Sequence, residues 1–191
     1  MMNAKREENA IVLDYLPYGK SGEAQREPVA QLLGDLQFTL LEASPKAGLA
    51  LSVGEKVYIG RGERDKIAHI RGRVTYQHMT NAAQQELERQ IKTIVLSREP
   101  EFIQFLNRAG AISIRVHALE QLPSIGKKNL HHLLEERERK PFESFADAHS
   151  RLPQLGDVAH IFAERIIREL KGDEKYFLFV KLPSREERER Y

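Results

Sequence analysis

Two lysines stand directly after a tight turn in residues 122–128 (sequence LPSIGKK), where a helix is predicted to begin. The sequence predicts one helix before this turn, over about 113–121, and another after it, over about 127–140. The first backbone N–H groups of a helix have no partner within it, and the helix dipole attracts an anion to that end. Gly126 lacks the Cβ that would keep a phosphate group away from the backbone. Because Lys127 and Lys128 add positive charge, this turn is predicted to bind phosphate.

The same turn pattern recurs thirty positions later as residues 152–156 (LPQLG), again before a helical pattern. Between the copies lies 141–147 (PFESFAD), which resembles the connector of paired helix-hairpin-helix domains. Two copies can bury their apolar faces against each other. We therefore predict an all-α paired helix-hairpin-helix domain over residues 111–172. The alternative interpretation is an αα-hairpin bundle with proline turns and no ligand.

The two copies differ after the glycine, where the first has Lys127 and the second has Asp157. An acid at this place repels a phosphate, but it is a good N-cap for the following helix. The second copy is therefore expected to be structural. The residues expected to contact phosphate lie in the first copy: Ser124, Ile125, Gly126, Lys127 and Lys128. Such turns usually have glycine at the position of Ser124, and other residues resist positive φ, so we expect either a different turn or a modest affinity.

Residues 1–78 have the composition of a small β domain, after a charged arm over residues 1–9 that is expected to be mobile. Strands are predicted over 11–16, 36–42, 56–59 and 66–76, and a short helical turn over 29–33. Several short strands at close spacing favour a small barrel of the OB or S1 type.

The strand predicted over 66–76 alternates between apolar and polar positions. Ala68, Ile70, Val74 and Tyr76 would share one face, and the other face would carry basic side chains. A second nucleic-acid contact is therefore predicted at these residues: Arg61, Arg64, His69, Arg71 and Arg73. A solvated face of an antiparallel sheet explains the same pattern, and both interpretations remain open.

Two helices are predicted over residues 79–110 as a linker between the domains. Thr80 has the character of an N-cap, and the apolar stripe of the first helix is Ala83, Leu87, Ile91, Ile94 and Val95. The apolar run 175–182 (KYFLFVKL), within a C-terminal element over 173–182, predicts a buried strand that returns to the barrel sheet or packs on the linker. Residues 183–191 are predicted to be a charged tail. The fold class is therefore α+β, with an N-terminal barrel, a helical linker, the hairpin domain and a C-terminal strand.

The sequence does not support an enzyme, a metal site or a cofactor. Glu138-Arg139-Lys140 resembles a run found in structure-specific nucleases, but it is explained by basic residues in the last turn of a helix. The pairs His131/Glu135 and His160/Glu164 have the helical spacing of metal ligands but no evident third ligand. We predict no catalytic residues and no cleavage of nucleic acid.

Composition limits the classes of partner. A net charge of +2 is too small to indicate nucleic acid by itself, so any binding must use local patches. The chain has no cysteine, which excludes disulfides and thiolate zinc sites and fits a cytoplasmic protein. A polar, charged N-terminus and the lack of a long apolar run predict no signal peptide and no membrane span.

The motifs together resemble a known family over nearly the whole chain. They are residues 11–19 (IVLDYLPYG), 38–42 (FTLLE), 57–60 (VYIG), the LPSIGKK turn, 141–145 (PFESF) and 175–180 (KYFLFV). This combination resembles the archaeal domain of unknown function 655. The resemblance implies an RNA-binding protein with a barrel-like N-terminal part and a paired helix-hairpin-helix, and partners among ribosomal or RNA polymerase components. It implies no established activity and no catalytic residues.

The leading hypothesis is a non-enzymatic protein that holds the phosphate backbone of RNA or DNA without reading sequence. RNA is preferred over DNA chiefly on the family resemblance. The helix-hairpin-helix motif by itself favours duplex DNA, since such motifs commonly bind its minor-groove side. A DNA-repair or recombination accessory factor is the first alternative. The second is a protein–protein module of the ribosome or transcription apparatus, in which the hairpins have lost phosphate binding.

Overall fold

The computed structural model describes residues 6–22 and 26–181. In these ranges the protein is α+β, with a five-stranded antiparallel sheet, a two-stranded sheet and five α-helices. The chain divides into two compact units. The first contains the residues up to Gln90 together with those from Leu170, and the second is Ile91–Glu169. No helix in the described ranges is long and apolar enough to cross a membrane.

The first unit is built on a curled antiparallel sheet. Its strands are β1 (Asn9–Leu16), β2 (Val29–Gly34), β3 (Leu40–Pro45), β4 (Lys56–Tyr58) and β5 (Ile67–Arg73). Their spatial order is β4-β1-β2-β3-β5, in which β4 returns beside β1 as in a Greek key. β4 and β5 stand at opposite ends of this order, so the predicted barrel is an open half-barrel. Its concave face packs apolar side chains that include Val12, Leu32, Leu51, Val57 and Ile67.

The predicted helical turn over 29–33 is wrong, because these residues form β2. This strand pairs with β1 on one side and β3 on the other and is buried along its whole length. An apolar run of this length is compatible with either a helical turn or a buried strand. The two-sided hydrogen bonding of a central strand decides between them.

The strand predicted from residue 36 begins only at Leu40, because a turn precedes it. Phe38 is buried and has a φ of 55° there. The Glu7 carboxylate accepts hydrogen bonds from the N–H groups of Leu36 and Gln37 at 2.9 and 2.7 Å. Glu7 thus stabilises the turn and is not part of a mobile arm. Residues 1–5 of the predicted arm lie outside the described residues.

β5 does not alternate as predicted over 66–76. Ile67 and Ile70 both pack toward the core, whereas Ala68 is exposed. The pairing of β5 with β3 has two register shifts, one on each side of His69 and Ile70. A β-bulge inserts an extra residue and interrupts the period of two, which explains why Ala68 and Ile70 do not share a face.

Helix α1 (Asn81–Ser97) begins as predicted at Thr80. The Thr80 hydroxyl accepts a hydrogen bond from the Ala83 N–H at 3.0 Å, the geometry of an N-cap. The same hydroxyl donates to the Asp14 carboxylate at 2.5 Å, and the Thr80 N–H donates to buried Gln31 at 2.9 Å. The sheet therefore positions the start of α1. The predicted apolar stripe of this helix is buried.

The second unit contains the remaining helices and a small hairpin. Its elements are α2 (Glu99–Arg108), β6 (Ala111–Ser113), β7 (Val116–His117), a 3₁₀ helix (Ala118–Gln121), α3 (Lys127–Arg139), α4 (Phe145–Arg151), a second 3₁₀ helix (Pro153–Leu155) and α5 (Val158–Lys171). Phe162 of α5 is the centre of the core. Its ring packs against those of Phe102, Phe105 and Phe145 in tilted or edge-on arrangements, with ring centroids 4.9–6.1 Å apart.

The helix predicted over 113–121 is replaced by the β6–β7 hairpin and the short 3₁₀ helix. Ala111 pairs with His117 across the hairpin. His117 then begins the 3₁₀ helix with a reciprocal cap, since its ring accepts from the Leu119 N–H while Glu120 accepts from the His117 N–H. This cap starts the helical segment at Ala118 and leaves the preceding residues extended.

The C-terminal strand predicted over 175–182 is also wrong within the described residues. Residues 176–181 are half-buried and form bends. The backbone of Lys181 accepts a hydrogen bond from Arg73 at 3.1 Å and donates to the Gln37 carbonyl at 3.4 Å. An apolar run indicates burial but does not by itself specify a strand partner. Leu182 and the tail predicted over 183–191 lie outside the described residues.

Candidate functional site

The first turn, residues 122–126, is a tight β-turn that places α3. The Ile125 N–H donates to the Leu122 carbonyl at 3.2 Å, with Pro123 and Ser124 between them. Ser124 has a φ of 63°, in the left-handed region that favours glycine. Proline followed by a positive-φ residue is the pattern of a type II turn. Ser124 therefore adopts the glycine-like conformation, and the Asn129 amide supports it by donating to the Ser124 carbonyl at 2.8 Å.

The start of α3 is open to solvent. Gly126 is the N-cap residue, no side chain caps the helix, and the position of a Cβ on Gly126 is empty space. The first intrahelical bond runs from the Leu130 N–H to the Gly126 carbonyl at 2.8 Å, so the N–H groups of residues 127–129 precede the helical ladder. These groups form an uncapped, positively polarised end.

The predicted phosphate-contacting residues of the first turn have two different environments. Ser124, Gly126, Lys127 and Lys128 are exposed, whereas Ile125 is 3% exposed. Ile125 therefore anchors the turn in the core, and it can offer a ligand only backbone groups. Within the described part of the chain, neither lysine forms an ion pair. The side chains at this end of α3 thus carry uncompensated positive charge.

At the second turn, residues 152–156, the start of the following helix is capped by a side chain. Gly156 has a φ of 74°, and Asp157 follows as the cap of α5. The Asp157 carboxylate accepts from the His160 N–H at 3.1 Å and pairs with Lys92 at 3.2 Å, which confirms the predicted N-cap. Partial burial raises the pKa of Asp157, but the hydrogen bonds from the His160 N–H and Lys92 outweigh it, so the pKa lies below its usual value. The second turn therefore carries its own anion.

A buried ion pair of α5 supports the first turn. Arg165 and Glu169 are 1% and 2% exposed, and the Arg165 Nε lies 3.0 Å from the Glu169 carboxylate. The Arg165 guanidinium also donates to the carbonyl of Gln121 at 2.7 Å, one residue before the first turn. This role of Arg165 was not predicted from the sequence. The available signal was the spacing of four between Arg165 and Glu169 inside an apolar stripe.

Two titratable residues, His117 and Glu120, lie just before the first turn, and both cap the 3₁₀ helix that leads into it. The His117 Nδ1 accepts from the Leu119 N–H at 3.1 Å, so this nitrogen must be unprotonated. Burial and then the charge of Arg137 lower the pKa of His117 below its usual value of 6.5, while Glu120 opposes the shift. Protonation of Nδ1 would remove the cap of the 3₁₀ helix that leads into the turn.

The five basic residues predicted as a second contact are in the first unit, and they do not have equal exposure. Arg61, in the β4–β5 connection, and His69, in β5, are exposed. Arg64 donates to the Gly60 carbonyl at 2.9 Å. Arg71 donates to the Ser44 hydroxyl at 2.8 Å and pairs with Glu27, and Arg73 donates to Lys181. The guanidinium groups of Arg71 and Arg73 therefore already have partners within the first unit.

The two His/Glu pairs considered above as metal ligands are neighbouring side chains on the surfaces of α3 and α5. His131 lies 3.1 Å from Glu135, and His160 lies 3.9 Å from Glu164. Across residues 6–22 and 26–181, no group of three or more His, Asp or Glu side chains is placed to hold a metal ion.

The geometry defines a class of protein: a Greek-key half-barrel with a second, helical unit that presents one open and one self-capped proline turn. The chain matches the model of the family "Protein of unknown function (DUF655)" over residues 6–181, and it belongs to this family. The family membership that the sequence motifs indicated is thereby confirmed.

Two archaeal proteins illustrate the family. The chain is 44% identical over 179 residues to the uncharacterized protein MJ0038 of Methanocaldococcus jannaschii, covering 93% of this chain and 81% of that protein. It is also similar to the crystal structure of Af1531 from Archaeoglobus fulgidus. That comparison has a TM-score of 0.84 and 40% sequence identity, and it covers 92% of this chain and all of the other.

Proposed function

We propose that this protein is a non-enzymatic nucleic-acid-binding protein that holds a backbone phosphate at the first turn, with RNA preferred over DNA. The observation that carries this proposal is the open start of α3. Exposed lysines and uncapped N–H groups point outward there, whereas Asp157 occupies the corresponding end of α5. A phosphate oxygen at α3 would take the place that a carboxylate takes at α5.

The two turns support a paired helix-hairpin-helix arrangement as the framework of this site. The second copy has a helix on each side of its turn, α4 and α5. In the first copy the leading helix is reduced to the 3₁₀ segment Ala118–Gln121, which packs against α3. The anchoring of the first turn by Ile125 and Arg165 holds the N–H groups of α3 in a fixed direction, as a phosphate site requires.

The half-barrel offers a second contact of the OB type. In OB folds, the connections after the first and fourth strands contribute to binding oligonucleotides. Here the connection after β4 carries exposed Arg61, and β5 presents exposed His69. Arg71 and Arg73 contribute less in this proposal, because their guanidinium groups already have partners within the unit.

The proposed contacts are to phosphate, so they favour affinity without sequence preference. Backbone N–H groups and lysines at a helix start position a nucleic acid but do not read base edges. The preference for RNA rests on the family resemblance, as does an association with ribosomal or RNA polymerase components.

Filter binding with three probes tests the proposal: duplex DNA, a structured RNA and an unstructured single strand, each at two salt concentrations. We expect the structured RNA to bind best, with an affinity that falls as salt rises because bound phosphates release counterions. Tighter binding to duplex DNA would favour the alternative of a repair or recombination accessory factor. Failure to bind any probe at low salt would contradict the proposal and favour a protein–protein module.

A further inference from the structure

The β6–β7 hairpin ends in an isoleucine that is fully open to solvent. Ile114 is 105% exposed, more than any other large apolar side chain in the described ranges, and Ile112 beside it is 38% exposed. The two strands are joined by a turn of only two residues, Ile114 and Arg115. The hairpin is closed at its base by a hydrogen bond from the Ala118 N–H to the Gly110 carbonyl at 2.9 Å. An apolar side chain therefore stands at the tip of a short, closed projection.

Turn chemistry does not explain this choice of residue. Two-residue hairpin turns favour glycine and asparagine, which adopt positive φ easily. Neither Ile114 nor Arg115 is among the positive-φ residues, and a β-branched side chain has no advantage in such a turn. Full exposure also means that the side chain does not contribute to the core. An interaction with a partner molecule accounts for it better than folding does.

The charge around the tip favours a polyanion as that partner. Residues 108–117 (RAGAISIRVH) include two arginines and no acid. Arg108 and Arg115 are exposed, and within the described residues neither forms an ion pair. Nucleic-acid-binding proteins that insert an apolar side chain between base steps combine it with basic side chains nearby, and the chain around Ile114 has both.

The hairpin is also coupled to the first turn. β7 runs directly into the 3₁₀ helix Ala118–Gln121, which precedes the turn, and Leu119 of this helix is fully buried. The chain path from Ile114 to Lys127 spans at most about 35 Å, from the rise per residue of strands, 3₁₀ helices and turns. A DNA duplex of roughly ten base pairs covers this length, at about 3.4 Å per step. One short helix of RNA could therefore reach both places.

We propose that Ile114 is a wedge that inserts between neighbouring bases of the nucleic acid held at the first turn. This inference rests on the proposed function and deepens it, because it names the substrate class: RNA helices with a bulge or an internal loop. Inserting a side chain requires two bases to unstack, which costs least where pairing is already interrupted. The wedge would thus give a preference for a structural feature without reading sequence.

The test uses the full chain and two short RNA helices, one fully paired and one with a single-nucleotide bulge. Each carries 2-aminopurine, whose fluorescence rises when it unstacks, and in the bulged RNA it stands beside the bulge. We expect the wild-type protein to bind the bulged RNA on the order of tenfold more tightly and to raise its fluorescence. The variant Ile114→Thr keeps the β-branch but loses the apolar tip, so it should lose both effects. Ile114→Val should retain most of them.

The matched control is Val53→Thr, which makes the same kind of change at a side chain of the first unit that is 53% exposed. It should bind and unstack the bulged RNA like the wild type. Sedimentation of wild type and Ile114→Thr without RNA, at equal concentrations, tests whether the tip instead joins two copies of the chain.

The outcomes separate the wedge from the proposed function. Salt-dependent RNA binding without a fluorescence change, and unaffected by Ile114→Thr, would overturn the wedge and leave the phosphate site standing. A loss of self-association in Ile114→Thr, with RNA binding unchanged, would also overturn the wedge and assign the tip to a protein contact. Failure of the wild type to bind any RNA or DNA would overturn both.

Discussion

The two proline turns of the second unit begin with the same Leu-Pro pair but leave the following helices in opposite states. At α5 the Asp157 carboxylate caps the helix and is paired with Lys92 at 3.2 Å. At α3 the cap residue is Gly126, which offers no side chain, and two exposed lysines follow. A helix start can be satisfied by the protein's own carboxylate or left for an external anion. The second unit contains one helix start of each kind, capped and uncapped, so the second turn is an internal control for the first.

The two turns differ by one residue in the distance along the chain from the positive-φ residue to the N-cap of the following helix. The positive-φ residue is Ser124 in the first turn, two positions before the cap, and Gly156 in the second, directly before the cap. Alignment of the motifs pairs Gly126 with Gly156. By structural role, however, Gly126 corresponds to Asp157, because each is the N-cap of its helix. The repeat in the sequence therefore conceals which residue decides whether the helix end is capped.

The largest expected effect is at Arg165, the residue through which α5 holds the first turn. Removing one partner of a buried ion pair leaves an uncompensated charge, so Arg165→Ala should lower the free energy of unfolding by about 3–5 kcal/mol. Urea denaturation measures this. The matched control is Arg168→Ala, which breaks the exposed pair with Glu164 and should cost less than about 1 kcal/mol. Equal effects of the two substitutions would contradict the anchoring role of Arg165.

The next effect is on binding, at the two lysines of the open turn. Lys127→Glu with Lys128→Glu should weaken binding to every nucleic-acid sequence tested, because the proposed contacts are to phosphate. The slope of log affinity against log salt should flatten by about 0.7–0.9 for each phosphate that the protein no longer neutralises. Filter binding over a salt series measures both quantities.

The control for that pair is Arg89→Glu with Lys175→Glu, which makes the same change in net charge at exposed side chains of the first unit. It should change the salt slope much less. If the lysine pair and its control behave alike, net charge controls binding, and the contrast between the two turns has no functional meaning.

The smallest effect concerns pH and the cap at His117. The pKa of His117 is lowered in the folded protein, so the folded state favours the neutral ring. The stability from this cap is present above the usual pKa of 6.5 and is lost as the pH falls through the lowered folded value. His117→Asn keeps a capping side chain but does not titrate. Between about pH 7 and pH 5, the wild type should lose more stability than the variant. Parallel pH profiles of the two proteins would refute this.

The sequence predicted well the features that depend on local signals. The cap at Thr80, the stripe of α1, the cap at Asp157 and the short strands β1 and β4 are all present. Each is set by residues within about one helical turn of one another, or by an apolar run bounded by turn residues.

The features that the sequence did not predict depend on distant partners. Residues 29–33 form a strand because β1 and β3 flank them, and β5 bulges because of its register with β3. Arg165 is buried because Glu169 and the Gln121 carbonyl satisfy its guanidinium. In the candidate site, the lysines and Gly126 are exposed, as the predicted phosphate contact requires. The sequence did not indicate that Arg71 and Arg73 would have partners within the first unit.

The central claim is that an open helix start at Gly126 makes the first turn a phosphate site. The most direct test compares Gly126→Asp with Gly126→Asn, which have nearly the same shape and differ in charge. Gly126 has an extended conformation (φ −80°) and free space at its Cβ, so both side chains fit. Each should cap α3 and raise the free energy of unfolding by a few tenths of a kcal/mol.

Nucleic-acid binding should separate these two variants. We predict that Gly126→Asp, which reproduces the carboxylate of the second turn, lowers the affinity and flattens the salt slope, by about as much as the removal of one phosphate contact. Gly126→Asn should remain closer to the wild type, because its cap carries no charge. If the aspartate variant is more stable than the wild type and yet binds RNA and DNA with unchanged affinity and salt slope, the first turn is not the phosphate site.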